Sequence, residues 1–247
     1  MKLGETVLLI GKNESYVITV LNDFHTKSGV ISKKDLLKRK IGQKIKTHLG
    51  KEFLIIKPTV NDLIERRFKR GAQVILPKDI SLILAYTGIN PDSTVVDAGT
   101  GSGYTSIFLG NYMTNGKVIT YEKDKRFVKI SNHNIKISGL KNVRLKNRDI
   151  SKGIQEKNVD LINLDLQNPH KIIKRAYNAL KIGGWLSVYC PTVDEMMKVS
   201  KEIMKYKFSG TRVVENIVRE WQTERTTRPK TMGLMHTGFL IFTRKMV

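Results

Sequence analysis

The sequence predicts an α/β protein, a mostly parallel sheet with helices on both faces, preceded by a small all-β module. Three observations carry this prediction. From Gln73 onward, strand-like and helix-like segments alternate, and that alternation builds a parallel sheet covered by helices. Before about residue 60, short apolar and β-branched runs are instead punctuated by turn residues. Within the alternating region a strand, a glycine-rich turn and a helix follow one another directly, the order a nucleotide-binding unit requires.

In the N-terminal region, Thr6–Ile10 reads as a strand, Gly11–Glu14 as a turn, and Tyr16–Leu21 and Phe53–Ile56 as later strands. Short strands at this spacing predict a small β-barrel-like module over residues 1–60. A basic connector able to form a helix follows between Thr59 and Arg70, with Arg66, Arg67, Lys69 and Arg70. It is placed at 61–72, and residues 73–247 form the larger domain. There is no internal repeat.

Composition narrows the function classes. Of 247 residues, 40% are hydrophobic, enough for a real core, and no polar low-complexity stretch argues for disorder. Lys and Arg total 44 against 22 Asp and Glu, a net charge of +22. An excess of this size attracts phosphate polyanions and points to a nucleic-acid partner; a merely solvated basic surface is the plainer alternative. Cys190 is the sole cysteine, which excludes an intrachain disulfide or a cysteine zinc cluster and fits a reducing compartment. Met1–Glu5 runs straight into a strand pattern, so no signal peptide is expected. No apolar run approaches the roughly 20 residues of a membrane helix, and no membrane partner is expected.

The site signal begins at Thr94–Asp97, a buried-type strand followed by Ala98-Gly99-Thr100-Gly101-Ser102-Gly103 and a helical segment from Tyr104 to Leu109. Glycines let the backbone pass close to a ligand because no Cβ intervenes. Gly99, Gly101 and Gly103 lie two apart, unlike the G-x-G-x-x-G run of dinucleotide enzymes, which leaves an NAD enzyme as a distant rival. The next strand, Lys117–Tyr121, ends at Glu122, about 20 residues past the glycines, where an acid can accept from both ribose hydroxyls. The strand Val143–Lys146 leads to Asp149, which can accept from an adenine amino group.

Asp97 to Gly103, with Glu122 and Asp149 at successive strand ends, resembles the class I S-adenosylmethionine-dependent methyltransferases. The resemblance implies a Rossmann-like, mostly parallel seven-stranded sheet and S-adenosylmethionine as cofactor. The implied cofactor-binding residues are Gly99, Thr100, Gly101, Ser102, Gly103, Tyr104, Glu122, Asp149, Ile150 and Asp165.

The fourth strand, Val159–Leu164, runs into Asp165-Leu166-Gln167-Asn168-Pro169. Loops beyond the carboxyl ends of such strands form the ligand crevice, so Asp165 is expected to face the methyl donor. A single proline followed by His170 departs from the Asn/Asp-Pro-Pro-aromatic run of enzymes that methylate exocyclic amines. It resembles the Asp-Leu-x-x-Pro run of tRNA adenine-N1 methyltransferases. That resemblance extends over nearly the whole chain, through Phe24–Gly29, Gln73–Asp79, Gly183–Trp185, Tyr189–Pro191, Arg228–Met232 and His236–Leu240.

The resemblance implies methylation of N1 of a T-loop adenine in tRNA, at position 58 and in archaeal members also 57. It further implies a cytoplasmic homotetramer with tRNA as partner and Asp165 as the catalytic residue. Two departures stand out: Leu76 replaces a usual Tyr, and Leu234-Met235 replaces a usual Gly beside His236.

Two other functions compete. A protein isoaspartyl methyltransferase shares a loop like Gly101-Ser102-Gly103-Tyr104, and a non-catalytic RNA-binding subunit would need the same basic surface. The charge, the N-terminal module and the 228–240 segment weigh against the first. The intact glycines with Glu122, Asp149 and Asp165 weigh against the second. His25, His133, His170 and His236 have no metal-ligand spacing, and no metal is expected. Trp185 is expected in the core, while Trp221 could stack on RNA or pack inside. Lys33, Lys34, Lys38, Arg39, Lys40, Lys44 and Lys46 form a basic cluster that serves either as an RNA platform or as a solvated surface.

Overall fold

Alternating apolar residues let Thr6–Ile10 (β1) and Ser15–Thr19 (β2) pair as an antiparallel hairpin, Leu8 opposite Val17. Lys44–Lys46 (β5) and Glu52–Ile56 (β6) extend this into a four-stranded antiparallel sheet of order β2-β1-β6-β5. Phe24–Thr26 (β3) and Gly29–Ile31 (β4) form a separate two-stranded ribbon. Val7, Leu9, Ile18, Ile45, Phe53 and Ile55 make the core beneath them, and truncating Phe53 to alanine would cost about 3–5 kcal/mol.

Two short helices accompany these strands, one between β4 and β5 and one after β6. Lys33–Lys38 (α1) starts where the Ser32 side chain accepts the Asp35 N–H, and it buries only Leu36. The sequence pattern predicts only strands and turns here, so this helix is an addition. Val60–Arg66 (α2) begins at a capping box in which Thr59 and Asp62 satisfy each other's backbone N–H. The chain divides into two compact units, Met1–Lys69 and Arg70–Val247, so α2 falls in the first. The computed structural model describes every residue except Ala72, Arg225, Met232 and Leu234.

The second unit opens with Pro77–Thr87 (α3), whose first residue Pro77 has no N–H to leave unpaired. The alternation then runs Thr94–Ala98 (β7), Tyr104–Tyr112 (α4), Lys117–Glu122 (β8), Lys125–Ser138 (α5), Val143–Asn147 (β9), Val159–Leu164 (β10), Ile173–Ala179 (α6), Leu180–Cys190 (β11), Val193–Ile203 (α7) and Phe208–Glu215 (β12). A small ribbon, Trp221–Gln222 (β13) with Arg228–Pro229 (β14), precedes the last strand, Phe239–Lys245 (β15).

The seven-stranded sheet has the order β12-β15-β11-β10-β7-β8-β9. Strands β9, β8, β7, β10 and β11 are parallel, and β15 runs antiparallel to both its neighbours. From β7 the chain steps outward one way through β8 and β9, then returns to fill the other side with β10 and β11. That reversal opens a crevice at the carboxyl ends of β7 and β10, where such sheets bind ligands. Trp185 is half-buried beneath the Arg244 guanidinium, 5.4 Å from its ring centre. Trp221 is 55% exposed and therefore outside the core. Among the described residues no helix is long and apolar enough to cross a membrane.

Candidate active site

The glycine turn after β7 is shaped by three left-handed backbones, Gly99 (φ 84°), Gly101 (φ 52°) and Gly103 (φ 82°). A Cβ on Gly99 would lie 1.6 Å from the Asp165 carbonyl oxygen, so only glycine lets the ends of β7 and β10 meet. The Asp165 N–H donates to the Ala98 carbonyl at 2.8 Å, and the Gly99 and Thr100 N–H groups donate to the Tyr121 carbonyl at 3.1 and 3.2 Å. The turn is thereby fastened to β8 on one side and β10 on the other.

Beneath it lies a buried polar network to which the sequence motifs assign no role. Asp97 is 1% exposed and accepts from the Ser106 hydroxyl (2.6 Å), the Thr120 hydroxyl (2.8 Å) and the Asn163 amide (2.8 Å). Burial raises its carboxyl above the ordinary range, against the lowering pull of those donors. Four elements, β7, α4, β8 and β10, are tied through this one side chain. Its only sequence signal is an acid at a strand end.

A cavity of about 730 Å³ opens over these strand ends. Of the ten residues expected to hold the cofactor, Gly99, Gly101, Glu122, Asp149, Ile150 and Asp165 line it. Thr100, Ser102, Gly103 and Tyr104 are not among its lining residues. The Thr100 hydroxyl pairs with that of Thr120 at 2.6 Å. Ser102 accepts the Gly71 N–H on its hydroxyl (3.0 Å) and the Asn134 amide on its carbonyl (2.8 Å). Tyr104 is buried at the start of α4. These four residues build the turn from within. Tyr189, Asn168 and Glu195 also line the cavity; the first two lie in segments compared above without a role assigned to them, and Glu195 lies in none.

The carboxylates differ in how they are held. Glu122 accepts the Gly101 N–H on one oxygen (3.0 Å) and the Asp124 N–H on the other (2.9 Å). A carboxylate has about four lone-pair positions, so two remain, one on each oxygen, matching the two hydroxyls of a ribose. Asp149 accepts the Ser151 N–H at 2.8 Å, and Ser151 hydrogen bonds hold its carboxyl below the usual range. With about four lone-pair positions on a carboxylate, capacity remains to accept an amine. The buried Ile150 beside it gives a purine an apolar wall. The residues present therefore fit an adenosine-bearing cofactor.

Asp165 is the contrast. It is partly buried, and no donor reaches its carboxylate among the described residues. Burial pushes its carboxyl up to about 8, and the charges of Asp97 and Glu195 act in the same direction. A carboxylate so placed gains from any N–H or positive charge that arrives beside it.

The C-terminal segment closes one wall. The Tyr189 hydroxyl donates to the Thr237 carbonyl, and a Cβ on Gly238 would come within 2.5 Å of the Tyr189 ring. Thr237 is fixed by Asp79 (2.8 Å), and Asp79 by the Lys78 ammonium (2.7 Å). This partly buried cluster binds the Gln73–Asp79 and His236–Leu240 segments to each other. His236 faces the Glu215 carboxylate at 2.5 Å through Nδ1 and the Pro191 carbonyl at 3.3 Å through Nε2. Both partners only accept, so the ring donates twice only as an imidazolium, and its pKa is raised accordingly. Leu76 caps α3 through its backbone alone. Met232 and Leu234, both in segments compared above, lie outside the described residues.

Comparison with known proteins agrees with this geometry. Residues 53–238 match the family model described as the tRNA methyltransferase complex GCD14 subunit. The chain is 34% identical over 250 residues to the tRNA (adenine(57)-N(1)/adenine(58)-N(1))-methyltransferase TrmI of Methanocaldococcus jannaschii, covering 90% of this chain and 87% of that one. Among solved structures it is similar to a SAM-dependent O-methyltransferase from Thermotoga maritima (TM-score 0.89, 31% identity, 100% of this chain and 95% of that one). It is also similar to the tRNA (m1A58) methyltransferase TrmI from Aquifex aeolicus (TM-score 0.82, 27% identity, 100% and 99%). The second unit has the class I S-adenosylmethionine methyltransferase fold expected from Asp97–Gly103, and S-adenosylmethionine is its cofactor. By the extent of these matches, the chain belongs to the family of the tRNA methyltransferase complex GCD14 subunit.

Proposed function

We propose that this protein transfers a methyl group from S-adenosylmethionine to N1 of a T-loop adenine in tRNA, at position 58 and also at 57. The observation that carries the reading is Asp165, a carboxylate without a protein donor among the described residues, in the same cavity as Glu122 and Asp149. The M. jannaschii relative is named for both positions, which supports the pair of sites.

In this reading Glu122 accepts from the ribose hydroxyls of the cofactor and Asp149 from its adenine amine. Gly99 and Gly101 let it approach the backbone, and Ile150 packs against its purine. Thr100, Ser102, Gly103 and Tyr104 support the turn. When bound, the cofactor supplies an electrophilic methyl on a sulfonium. Adenine N1 has a free lone pair, so no base need act before attack. Positive charge appears on the ring as the bond forms. Asp165 accepts a hydrogen bond from the exocyclic amine and stabilises that charge where it develops, while the cavity walls hold the base in line.

The basic cluster on α1 and β5 supports tRNA binding by the first unit. Lys44 and Lys46 pair with Glu52, whereas Lys34, Lys38, Arg39 and Lys40 are exposed and have no ion-pair partner among the described residues. We propose a homotetramer working in the cytoplasm, where its substrate is; exposed Val213, Ile217 and Val218 beside edge strand β12 support self-association.

The T. maritima neighbour is named for an oxygen acceptor, so the acceptor atom is the point to test. Unmodified tRNA incubated with the protein and labelled cofactor, then digested for nucleoside mass spectrometry, should yield 1-methyladenosine. Label in 2′-O-methylated nucleosides, or none in tRNA, would overturn the reading.

A further inference from the structure

The loop that carries Asp165 is restrained by a residue with no role so far. Between the end of β10 and the helical turn at Pro169–Ile172, Asn168 takes φ 57°, the left-handed region that asparagine tolerates better than most residues. Its N–H donates to Glu195 Oε1 at 3.1 Å. Glu195 is itself placed by the first turn of α7, where its own N–H donates to the Thr192 hydroxyl at 3.3 Å. Glu195 and Asn168 both line the cavity with Asp165.

Among the described residues, the other backbone hydrogen bonds of the loop lie at its ends. The Asp165 N–H is bound to the Ala98 carbonyl, and the Asn168 carbonyl accepts the Lys171 N–H at 3.1 Å. Pro169 has no N–H to offer. Leu166 packs against the main core, so it is the exposed pair Gln167 and Asn168 that depends on Glu195 for a side-chain tether from outside the loop. Asn168 and Gln167 are exposed, so their side chains are not packed down.

We propose that Glu195 is a positioning residue for methyl transfer, holding the Leu166–Pro169 loop, and with it Asp165, by accepting the Asn168 N–H. The proposal rests on the reading of Asp165 as the group that meets the acceptor base. Glu195 also acts on Asp165 through its charge, which adds to the upward push on that carboxyl. The two effects are separable by substitution. Glu195→Gln keeps an acceptor oxygen and removes the charge, whereas Glu195→Ala removes both.

Two measurements on the full chain test this: hydrogen exchange of the Asn168 amide without substrate, and single-turnover methylation of tRNA with saturating cofactor. In Glu195→Ala the Asn168 amide should exchange about tenfold faster or more. Turnover should fall about ten- to a hundredfold, as expected for a loosely held reacting group, with cofactor affinity within about twofold of wild type. Glu195→Gln should restore both protection and rate, and move the pH–rate midpoint downward because a negative charge near Asp165 is gone. Wild-type exchange and turnover in Glu195→Ala would overturn the proposal, as would a Gln variant that falls as far as Ala in both. If the wild-type protein does not methylate tRNA, the proposed function fails instead, and Asn168 exchange alone then decides the tether.

Discussion

Glu122 and Asp165 stand at the carboxyl ends of β8 and β10, the two strands that flank β7, yet they are built for opposite work. Glu122 is buried and holds a backbone N–H on each oxygen, so it is fixed before any ligand arrives and presents two aimed lone pairs. Asp165 receives no donor from the described residues and is pushed up to about 8. A carboxylate held by backbone donors is a binding fixture; one without donors in low dielectric responds to charge that appears during a reaction. In the proposed reading, the half of the cavity on β8 and β9 holds the adenosine part of the cofactor, which takes no part in the bond changes. In the same reading, the half on β10 faces the base on which positive charge develops.

The sharpest way to break this contrast is Asp165→Ala. Single-turnover methylation of tRNA should fall about 10²–10³-fold, the scale of losing one preorganised group at a developing charge, with cofactor affinity by calorimetry little altered. Rates equal to wild type would reduce Asp165 to a strand-end residue. Next in size, Glu122→Ala should weaken cofactor binding about tenfold or more, since hydrogen bonds to a charged group are worth about 1.5–3 kcal/mol. An unchanged affinity in a folded variant would remove the ribose role.

Stability against pH sharpens the comparison further. Asp165 has its folded-state value raised from the usual 3.8 to about 8. Its contribution is fully present below the unfolded value and is lost as pH rises through the folded one. Asp165→Asn should therefore melt higher than wild type, with the gain growing between about pH 4 and 8 and then levelling, by roughly 2–4 °C for each kcal/mol relieved. A difference in Tm that does not change across that window would contradict the burial argument.

Much of this was legible in the sequence, and the boundary of legibility has a physical cause. Glu122, Asp149 and Asp165 are readable because a parallel sheet delivers residues at strand ends to one edge, whatever the loops do. Which residues of the 99–104 turn face the cavity is not readable. Three left-handed glycines twist the backbone, so Thr100 and Ser102 bond inward to Thr120, Gly71 and Asn134. Glu195 is hidden for another reason: α7 meets the Asp165 loop only through tertiary packing, and no spacing in the sequence links positions 168 and 195. Helix α1 escapes because six residues bury a single leucine, too little for a period to show. Trp221 left two readings open, and its exposure removes the core.

The smallest effect concerns the first unit. Reversing Lys34, Lys38 and Lys40 should weaken tRNA binding and flatten its dependence on salt, by about 0.7–0.9 in the log–log slope for each phosphate left without its cation, with cofactor affinity unaffected. If affinity and slope both stay put, these lysines only solvate the surface.

The division of labour between the two carboxylates is tested most directly by the single-turnover rate on tRNA as a function of S-adenosylmethionine concentration, for Glu122→Ala and Asp165→Ala side by side. The account predicts that saturating cofactor brings Glu122→Ala back to within a few-fold of wild type, while Asp165→Ala stays on a low plateau at every concentration. Recovery of Asp165→Ala at high cofactor, or a plateau as low for Glu122→Ala, would contradict it.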